Sequence, residues 1–220
     1  MFKPEIRDGI FLGFAMDTPE AYFFFGGREV SRVKLPTFFP GYEFAFLKQV
    51  HGRAVVGADV ARALEADAHF TREPNLALVA QTADCVPVLL AGKRTVCAIH
   101  SGWRGCAQDI VSAARDAFKD DSVRLAAIGP HIMTESFEVG LDVAARIERE
   151  EPGLRHPHKD PAKTYLDLTE LVRRQLRKAF GSNISIVEAL ENTVTSPRFH
   201  SFRRDRERAE RQYSFVVLKP

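Results

Sequence analysis

The chain has 220 residues, 45% of them hydrophobic, and its 31 Lys and Arg nearly balance 29 Asp and Glu, leaving a net charge of +2. Length and apolar content indicate one globular domain over residues 1–220 with a substantial core. The small net charge gives no indication of a nucleic-acid or membrane partner, and no apolar run approaches the roughly 20 residues of a membrane-spanning helix.

Apolar runs predict a series of strands interrupted by helices at irregular intervals. The predicted strands cover residues 9–15, 44–50, 76–81, 86–91, 95–99, 123–128, 184–189 and 213–218. The predicted helices cover residues 108–118, 141–150 and a segment that begins at the N-cap Asp167 and ends at Gly181. Residues 151–163, rich in Pro and His, are the best candidate for a surface loop. Because helices and strands do not alternate regularly, the pattern predicts an α/β (α+β) domain with a mixed sheet core flanked by helices, rather than a Rossmann fold or barrel.

The strands 86–91 and 95–99 are joined by Gly92-Lys93-Arg94, a connection of hairpin length. Cys85 precedes the first strand of this hairpin and His100 ends the second. Because a hairpin returns the end of its second strand beside the start of its first, we expect these two side chains to be neighbours. The strand at 44–50 delivers His51 at its C-terminal end.

Two imidazoles and a thiolate are a common ligand set for zinc, and three protein ligands leave one coordination position for water or substrate. His51, Cys85 and His100 therefore predict a catalytic metal site. The same residues also allow a cysteine hydrolase, in which Cys85 is the nucleophile and His100 its base. Cys97 lies inside an apolar strand and Cys106 opens a helix, and both are expected in the core. Three cysteines, an odd number without disulfide spacing, and no N-terminal signal segment favour the cytoplasm.

The segments around these three residues form part of an ordered set of short strings: Gln-Val-His-Gly at 49–52, Thr-Ala-Asp-Cys-Val-Pro-Val-Leu-Leu at 82–90, His-Ser-Gly-Trp-Arg-Gly at 100–105, Ile-Gly-Pro-His-Ile at 128–132, Phe-Glu-Val-Gly at 137–140 and Phe-Arg-Arg-Asp at 202–205. These strings resemble the motifs of the YfiH family, whose members are called laccase-domain proteins or polyphenol oxidases and are now viewed as purine nucleoside phosphorylases. They occur in the family's order across most of the chain.

The resemblance implies a YfiH-like fold in which His51, Cys85 and His100 bind zinc. It further implies phosphorolysis of adenosine, inosine and methylthioadenosine, together with deamination of adenosine, so that purine nucleosides and phosphate are the expected partners. Copper is the second candidate metal, but seven histidines with one His-x-His pair are too few for a multicopper oxidase. A protein that binds a metal or purine and does little chemistry is a further alternative. The sequence does not indicate an oligomeric state.

Two residues near the predicted ligands are candidates for catalysis. Asp84, next to Cys85, is the candidate proton shuttle, or else a turn residue that holds one of the histidines. Arg104, in a glycine-flanked turn expected just before a helix, suits phosphate because its guanidinium donates two parallel hydrogen bonds. A surface arginine or an ion-pair partner is the alternative for Arg104.

Five further residues are candidates for substrate binding. Gln49 could donate to a purine edge or brace the end of its strand. Arg32, in the counterpart of the family's Asn-Arg pair, and Arg203 and Arg204, in the Phe-Arg-Arg-Asp string, are weaker phosphate candidates. His131 is a candidate lining residue because the family places its Gly-Pro turn near the pocket. The charged run at 203–211 is otherwise typical of a solvated face.

Overall fold

The computed structural model describes residues 1–149 and 151–220. Its strands, in chain order, are Lys3–Arg7 (β1), Ile10–Asp17 (β2), Ala21–Gly26 (β3), Glu43–Ala45 (β4), Leu47–Lys48 (β5), Val55–Gly57 (β6), Leu64–Glu65 (β7), Ala68–Thr71 (β8), Leu76–Thr82 (β9), Val86–Ala91 (β10), Val96–Ser101 (β11), Leu125–Ile128 (β12), Glu138–Gly140 (β13), Arg155–His156 (β14), Lys163–Leu166 (β15), Ser185–Glu188 (β16) and Gln212–Leu218 (β17). Its α-helices are Leu35–Phe38 (α1), Trp103–Ala107 (α2), Ile110–Ala113 (α3), Leu141–Ile147 (α4), Leu168–Phe180 (α5) and Phe202–Asp205 (α6). Short 3₁₀ helices cover Ala114–Phe118, Thr134–Ser136 and Arg206–Arg208.

Two six-stranded sheets form the framework. The first has the strand order β1-β2-β3-β17-β9-β4, and the second has the order β16-β12-β10-β11-β8-β6. Most neighbours are antiparallel, but β4 with β9, β12 with β16, and β6 with β8 are parallel, so both sheets are mixed. The smaller sheets are β13-β15-β14 and β5-β7. The mixed α/β class predicted from the sequence is confirmed, with two packed sheets at its centre.

The central strands are apolar on both faces because each face is covered. In β3, Phe23 and Phe25 pack into the layer between the two sheets, whereas Phe24 faces the opposite side and packs near Phe39 and Phe215. Alternation of side chains along a strand produces this division. The second sheet repeats it: alternate residues of β10 and β11 face the first sheet or the helices α2 to α5. The long apolar runs are therefore those of strands buried on both sides.

Most predicted elements are confirmed, with shifted ends. Asp167 caps α5 by accepting a hydrogen bond from the Glu170 N–H at 2.8 Å, and Gly181 follows the helix with a φ of 98°. The strand predicted at 9–15 is β2, whereas β1, β3, β6, β7, β8, β13 and β15 were not predicted. The strand predicted at 44–50 is two short strands, β4 and β5, which belong to different sheets. The loop predicted at 151–163 contains the short strand β14.

The single helix predicted at 108–118 was wrong. Asp109 adopts a left-handed conformation with a φ of 55°, which ends one helical segment, and its side chain then caps α3 by accepting from the Ser112 N–H at 3.1 Å. The predicted apolar face is nevertheless buried, including Ile110 and Phe118. The helix predicted at 141–150 is observed as α4, and its predicted last residue, Glu150, lies outside the described residues. Within the described part of the chain, no helix is long and apolar enough to span a membrane.

Candidate metal centre and pocket

The hairpin of β10 and β11 brings two of the predicted metal ligands together. Its register pairs Val86 with Ser101 and Pro87 with His100. Cys85, immediately before β10, therefore lies at the same end of the hairpin as His100. His51 joins them from the segment after β5, and one ligand atom from each of the three residues lies within 4.8 Å of the others.

His51 reaches this position through an unusual backbone conformation, with a φ of 59°. Left-handed residues turn successive N–H groups toward one side of the chain, where they form a concavity suited to an anion. The carboxylate of Asp67 occupies it and accepts hydrogen bonds from the N–H groups of Val50 at 3.2 Å, His51 at 2.9 Å and Gly52 at 2.7 Å. Asp67 is completely buried and stabilises a turn that would otherwise be strained.

The same carboxylate orients a second ligand, because Oδ1 of Asp67 lies 2.7 Å from Nδ1 of His100. A partner on Nδ1 leaves Nε2 available for a metal, an arrangement common in zinc proteins. Burial raises the pKa of Asp67, but hydrogen bonds from His100 and from the Gly52 and His51 N–H groups outweigh it and hold that pKa below its usual value. Asp67 is thus an anion in the folded protein.

Cys85 and His100 shift each other's ionisation. Burial raises the pKa of the Cys85 thiol, but the charge and hydrogen bonds of His100 and His51 outweigh burial and lower this pKa to about 6. Burial lowers the pKa of His100, but Cys85 and Asp67 overcome this effect and raise it to about 9. The centre therefore favours the thiolate, which is the form of cysteine that binds metals and acts as a nucleophile.

The space between the three side chains fits a small tetrahedral metal ion. Zinc bonds to nitrogen and sulfur place ligand atoms roughly 3.3–3.6 Å apart, and the three ligand atoms here lie within 4.8 Å of one another. Gly102 closes one side of the centre: a Cβ at that position would lie 2.9 Å from Cδ2 of His51, 3.2 Å from Sγ of Cys85 and 3.7 Å from Cε1 of His100. Only glycine allows the backbone to approach all three ligands this closely.

The candidate centre lies in the wall of a cavity of about 480 Å³. This size is within the range of small-molecule sites. The cavity is lined by Gln49, His51, Gln81, Ala83, Asp84, Cys85, His100, Trp103, Ile132, Phe137, Leu168, Phe202, Arg203 and Arg211. The pocket thus combines aromatic and apolar side chains with polar and ionisable ones, as binding sites for planar organic molecules do.

Three of the other predicted site residues lie in the pocket wall. Asp84 has a φ of 87° and uses both carboxylate oxygens: Oδ1 accepts from the Thr193 hydroxyl and Oδ2 from the Arg203 N–H, each at 2.6 Å. Gln49 donates to the Gln81 carbonyl at 2.7 Å and accepts from the Gln81 N–H at 2.8 Å. These contacts favour the bracing alternative for Gln49. Asp84 is also a turn residue with structural partners, but it holds Thr193 and Arg203 rather than His51 or His100. Arg203 is partly buried and faces the cavity.

Four predicted site residues lie outside the pocket wall. Arg104 is inside α2, not before it, and its exposed guanidinium lies 4.3 Å from the ring centroid of Trp103. Arg32 is exposed and lies over the Phe46 ring at 4.0 Å.

Arg204 and His131 have structural partners instead. Arg204 pairs with Asp205 at 2.7 Å and donates to the main-chain carbonyls of Thr193 and Phe199. His131 is fully buried, and its two ring nitrogens lie 2.8 Å from the Gly129 carbonyl and 2.9 Å from the Thr169 hydroxyl. Direct substrate contacts by these four residues have no support in this geometry.

Sequence reasoning missed several residues of the site. Asp67 stands between two alanines, and no local pattern connects it with His51 or His100. Arg211 is hidden in a charged run, although it lies two residues before an apolar strand segment. The aromatic wall residues Trp103, Phe137 and Phe202 were within the quoted motifs, and their position next to polar motif residues was the available signal.

The two-sheet mixed α/β fold and its His/Cys/His centre define the chain as a YfiH-like protein with a candidate metal site. The chain belongs to the family described as multi-copper polyphenol oxidoreductase laccase, whose model matches residues 29–219. A protein of Xylella fastidiosa named purine nucleoside phosphorylase is 38% identical over 174 residues, which cover 73% of this chain and 67% of that protein.

Solved structures show the same fold. YlmD from Geobacillus stearothermophilus matches with a TM-score of 0.85 and 22% identity, covering 100% of this chain and 99% of YlmD. YfiH from Bacillus licheniformis matches with a TM-score of 0.78 and 23% identity, covering 90% of this chain and 93% of YfiH. The resemblance to YfiH noted in the sequence motifs is therefore confirmed.

Proposed function

We propose that the chain is a zinc-dependent purine nucleoside phosphorylase for adenosine, inosine and methylthioadenosine that also deaminates adenosine. The observation that carries this proposal is the His51, Cys85 and His100 centre in the wall of an aromatic pocket. Family membership and the name of the Xylella relative support the same activity. Both large sheets contribute to the pocket, through Gln81 of β9 and His100 of β11, which supports residues 1–220 acting as one catalytic domain.

The pocket walls suit a purine nucleoside. Trp103, Phe137 and Phe202 offer aromatic surface against which a planar purine ring can stack. Ile132 and Leu168 extend the apolar wall and reduce the access of water to the reacting bonds. The polar lining residues, among them Gln49, Gln81 and Arg203, can orient the ligand against this apolar surface.

His51, Cys85 and His100 would hold the zinc ion. When bound, zinc supplies a Lewis acid that polarises a substrate oxygen and lowers the pKa of a water molecule. Asp67 holds His100 and the His51 turn in the geometry this requires. A multicopper oxidase needs several copper centres, so a single centre of three ligands within the described residues supports zinc over a copper oxidase site. The three cysteines are free, which supports action in the reducing cytoplasm.

A cysteine hydrolase is the second candidate, because the geometry also contains its parts. Cys85 lies beside His100, and Asp67 orients the imidazole from behind, in the order nucleophile, base and carboxylate. The two candidates differ in metal content, since a thiolate that binds zinc is not a free nucleophile.

Metal analysis and turnover on the same samples test the proposal. Zinc would be measured by mass spectrometry in the wild type, in the triple variant His51→Ala, Cys85→Ser, His100→Ala, and in the control His156→Ala, an exposed histidine. Adenosine with phosphate would be the assay mixture, with adenine and inosine as products. We expect about one zinc per chain and product formation in the wild type and control only.

Other outcomes separate the alternatives. Stoichiometric zinc with no turnover of any purine nucleoside would refute the catalytic claim and leave a metal- or purine-binding protein. A metal-free wild type in which Cys85 is alkylated rapidly would favour the cysteine hydrolase.

A further inference from the structure

Arg203 is fixed in the pocket wall by main-chain groups. Its Nη1 donates to the carbonyl of Glu138 at 3.0 Å and, more weakly, to that of Ser136 at 3.4 Å. Its own N–H donates to Asp84, so backbone and side chain are both held. Among the described residues, neither Nε nor Nη2 of Arg203 has a hydrogen-bond acceptor, and no carboxylate lies within 4.0 Å of the guanidinium.

Arg211 repeats this arrangement from a second segment of the pocket wall. Its Nη1 donates to the carbonyls of Ala209 and Glu210, both at 3.0 Å. Its Nε and Nη2 have no acceptor, and no carboxylate is paired with it, in the part of the chain that the structure describes. In both arginines the edge formed by Nε and Nη2, which donates two parallel hydrogen bonds to one oxyanion, is therefore unused.

Arg203 and Arg211 are held by main-chain carbonyls rather than by carboxylates, and this difference decides whether their positive charge is neutralised. Neighbouring arginines such as Arg198 and Arg204 are neutralised by Glu191 and Asp205. Carbonyls fix a guanidinium but leave its positive charge uncompensated, so a pocket with two such groups attracts anions. Asp84, the one carboxylate among the described residues of the pocket wall, already accepts two hydrogen bonds of 2.6 Å.

We propose that Arg203 and Arg211 form an oxyanion subsite of the pocket that binds a phosphate group through their Nε and Nη2 edges. This assignment rests on the proposed function for the identity of the phosphate. The group has two chemical sources: free inorganic phosphate that enters beside a nucleoside, or the phosphoryl group of a nucleotide. Arg211, absent from the candidates that the sequence suggests, is the new member of the site.

Calorimetric titration of the zinc-loaded protein tests the subsite without depending on turnover. The probes are inorganic phosphate, adenosine and adenosine 5′-monophosphate. The variants are Arg203→Gln, Arg211→Gln and Arg211→Lys, with Arg208→Gln as the matched control from an exposed position outside this pocket. Circular dichroism checks folding, and the exposed Arg211 provides a variant that leaves the anchoring of Arg203 intact.

Each glutamine variant should weaken binding of the phosphate group by about 10- to 100-fold, the effect of losing a charge-assisted hydrogen-bond pair. The lysine variant should recover part of the affinity, because it restores the charge without the planar fork. Weakened binding of inorganic phosphate in the glutamine variants identifies free phosphate as the source. If the wild type binds the monophosphate more tightly than adenosine and the glutamine variants lose this difference, the phosphoryl group of a nucleotide is the source.

Two results would overturn the assignment: no binding of inorganic phosphate or monophosphate by the wild type, or affinities in both glutamine variants within twofold of Arg208→Gln. Nucleoside turnover measured in parallel separates this proposal from the proposed function. Phosphate binding that depends on the arginines, without turnover, refutes only the phosphorylase. Turnover with the same phosphate KM in every variant refutes only the subsite.

Discussion

Replacing Asp67 with Asn removes one negative charge and changes few atoms, so it isolates the role of this carboxylate. In the folded protein the carboxylate accepts from the main-chain N–H groups of Val50, His51 and Gly52 and lies 2.7 Å from Nδ1 of His100. An asparagine side chain offers one oxygen, and its NH₂ group would face donors. We therefore expect the Asp67→Asn variant to lose both stability and zinc affinity.

The magnitude follows from these four partners. One amide oxygen can serve about two of them, which leaves about two buried donors unpaired at about 1–3 kcal/mol each. The free energy of unfolding of the metal-free protein should fall by about 2–6 kcal/mol. At about 2–4 °C per kcal/mol for a chain of this size, Tm should fall by at least about 4 °C. Loss of the carboxylate partner of a metal-binding histidine should weaken zinc binding by about 10- to 100-fold.

Thermal unfolding of the metal-free variant and zinc competition against a chelator measure the two effects separately. Asp116→Asn is the matched control, because Asp116 is exposed and lies on the 3₁₀ helix away from the pocket. Wild-type zinc affinity, within twofold, together with an unchanged Tm in Asp67→Asn would refute the role given to this carboxylate.

Three further changes test other parts of the structure. Gly102→Ala should lower zinc content, measured by mass spectrometry, because its Cβ would lie 2.9 Å from Cδ2 of His51; a variant with full zinc would contradict the close packing. Burial lowers the pKa of His69 from 6.5 to about 3. Between these two pH values the folded state therefore binds fewer protons than the unfolded state. The free energy of unfolding is highest above pH 6.5 and should fall by up to about 1.4 kcal/mol per pH unit as the pH drops toward 3. Urea unfolding at several pH values should show that His69→Leu loses less stability in acid than the wild type. Equal losses in the two proteins would exclude His69 as a source of the acid destabilisation. Asp84→Asn should lower kcat less than tenfold if Asp84 braces the site, whereas a loss of 10²- to 10⁴-fold would identify a proton shuttle.

Local patterns predicted the parts of the site that depend on neighbouring residues. The Gly92-Lys93-Arg94 connection and the two apolar runs beside it were sufficient to place Cys85 beside His100, because hairpin register follows from loop length. The cap at Asp167 was predictable for the same reason, since the capping interaction spans three residues.

Long-range interactions account for what the sequence did not predict. Asp67 contacts His100, 33 positions away, and nothing in its own segment indicates that partner. The left-handed conformation of Asp109 divides the predicted helix. Aspartate is common both in the first turn of helices and in loops, so the residue type alone did not indicate this conformation. The Nε and Nη2 edge of Arg211 is unpaired because main-chain carbonyls bind its Nη1 instead. A run of charged residues in the sequence does not indicate which of them form such contacts.

The place of β17 in the first sheet has a consequence for the order in which the chain folds during synthesis. Residues 212–218 lie between β3 and β9, so the two halves of this sheet cannot join until that segment has left the ribosome. Until then, β3 and β9 each lack the strand that pairs with one of their edges, and β3 carries Phe23, Phe24 and Phe25; such edges are a hazard for aggregation that chaperones counter. Arg203 and Arg211 are translated just before β17, so the pocket is completed by the same late step that closes the sheet.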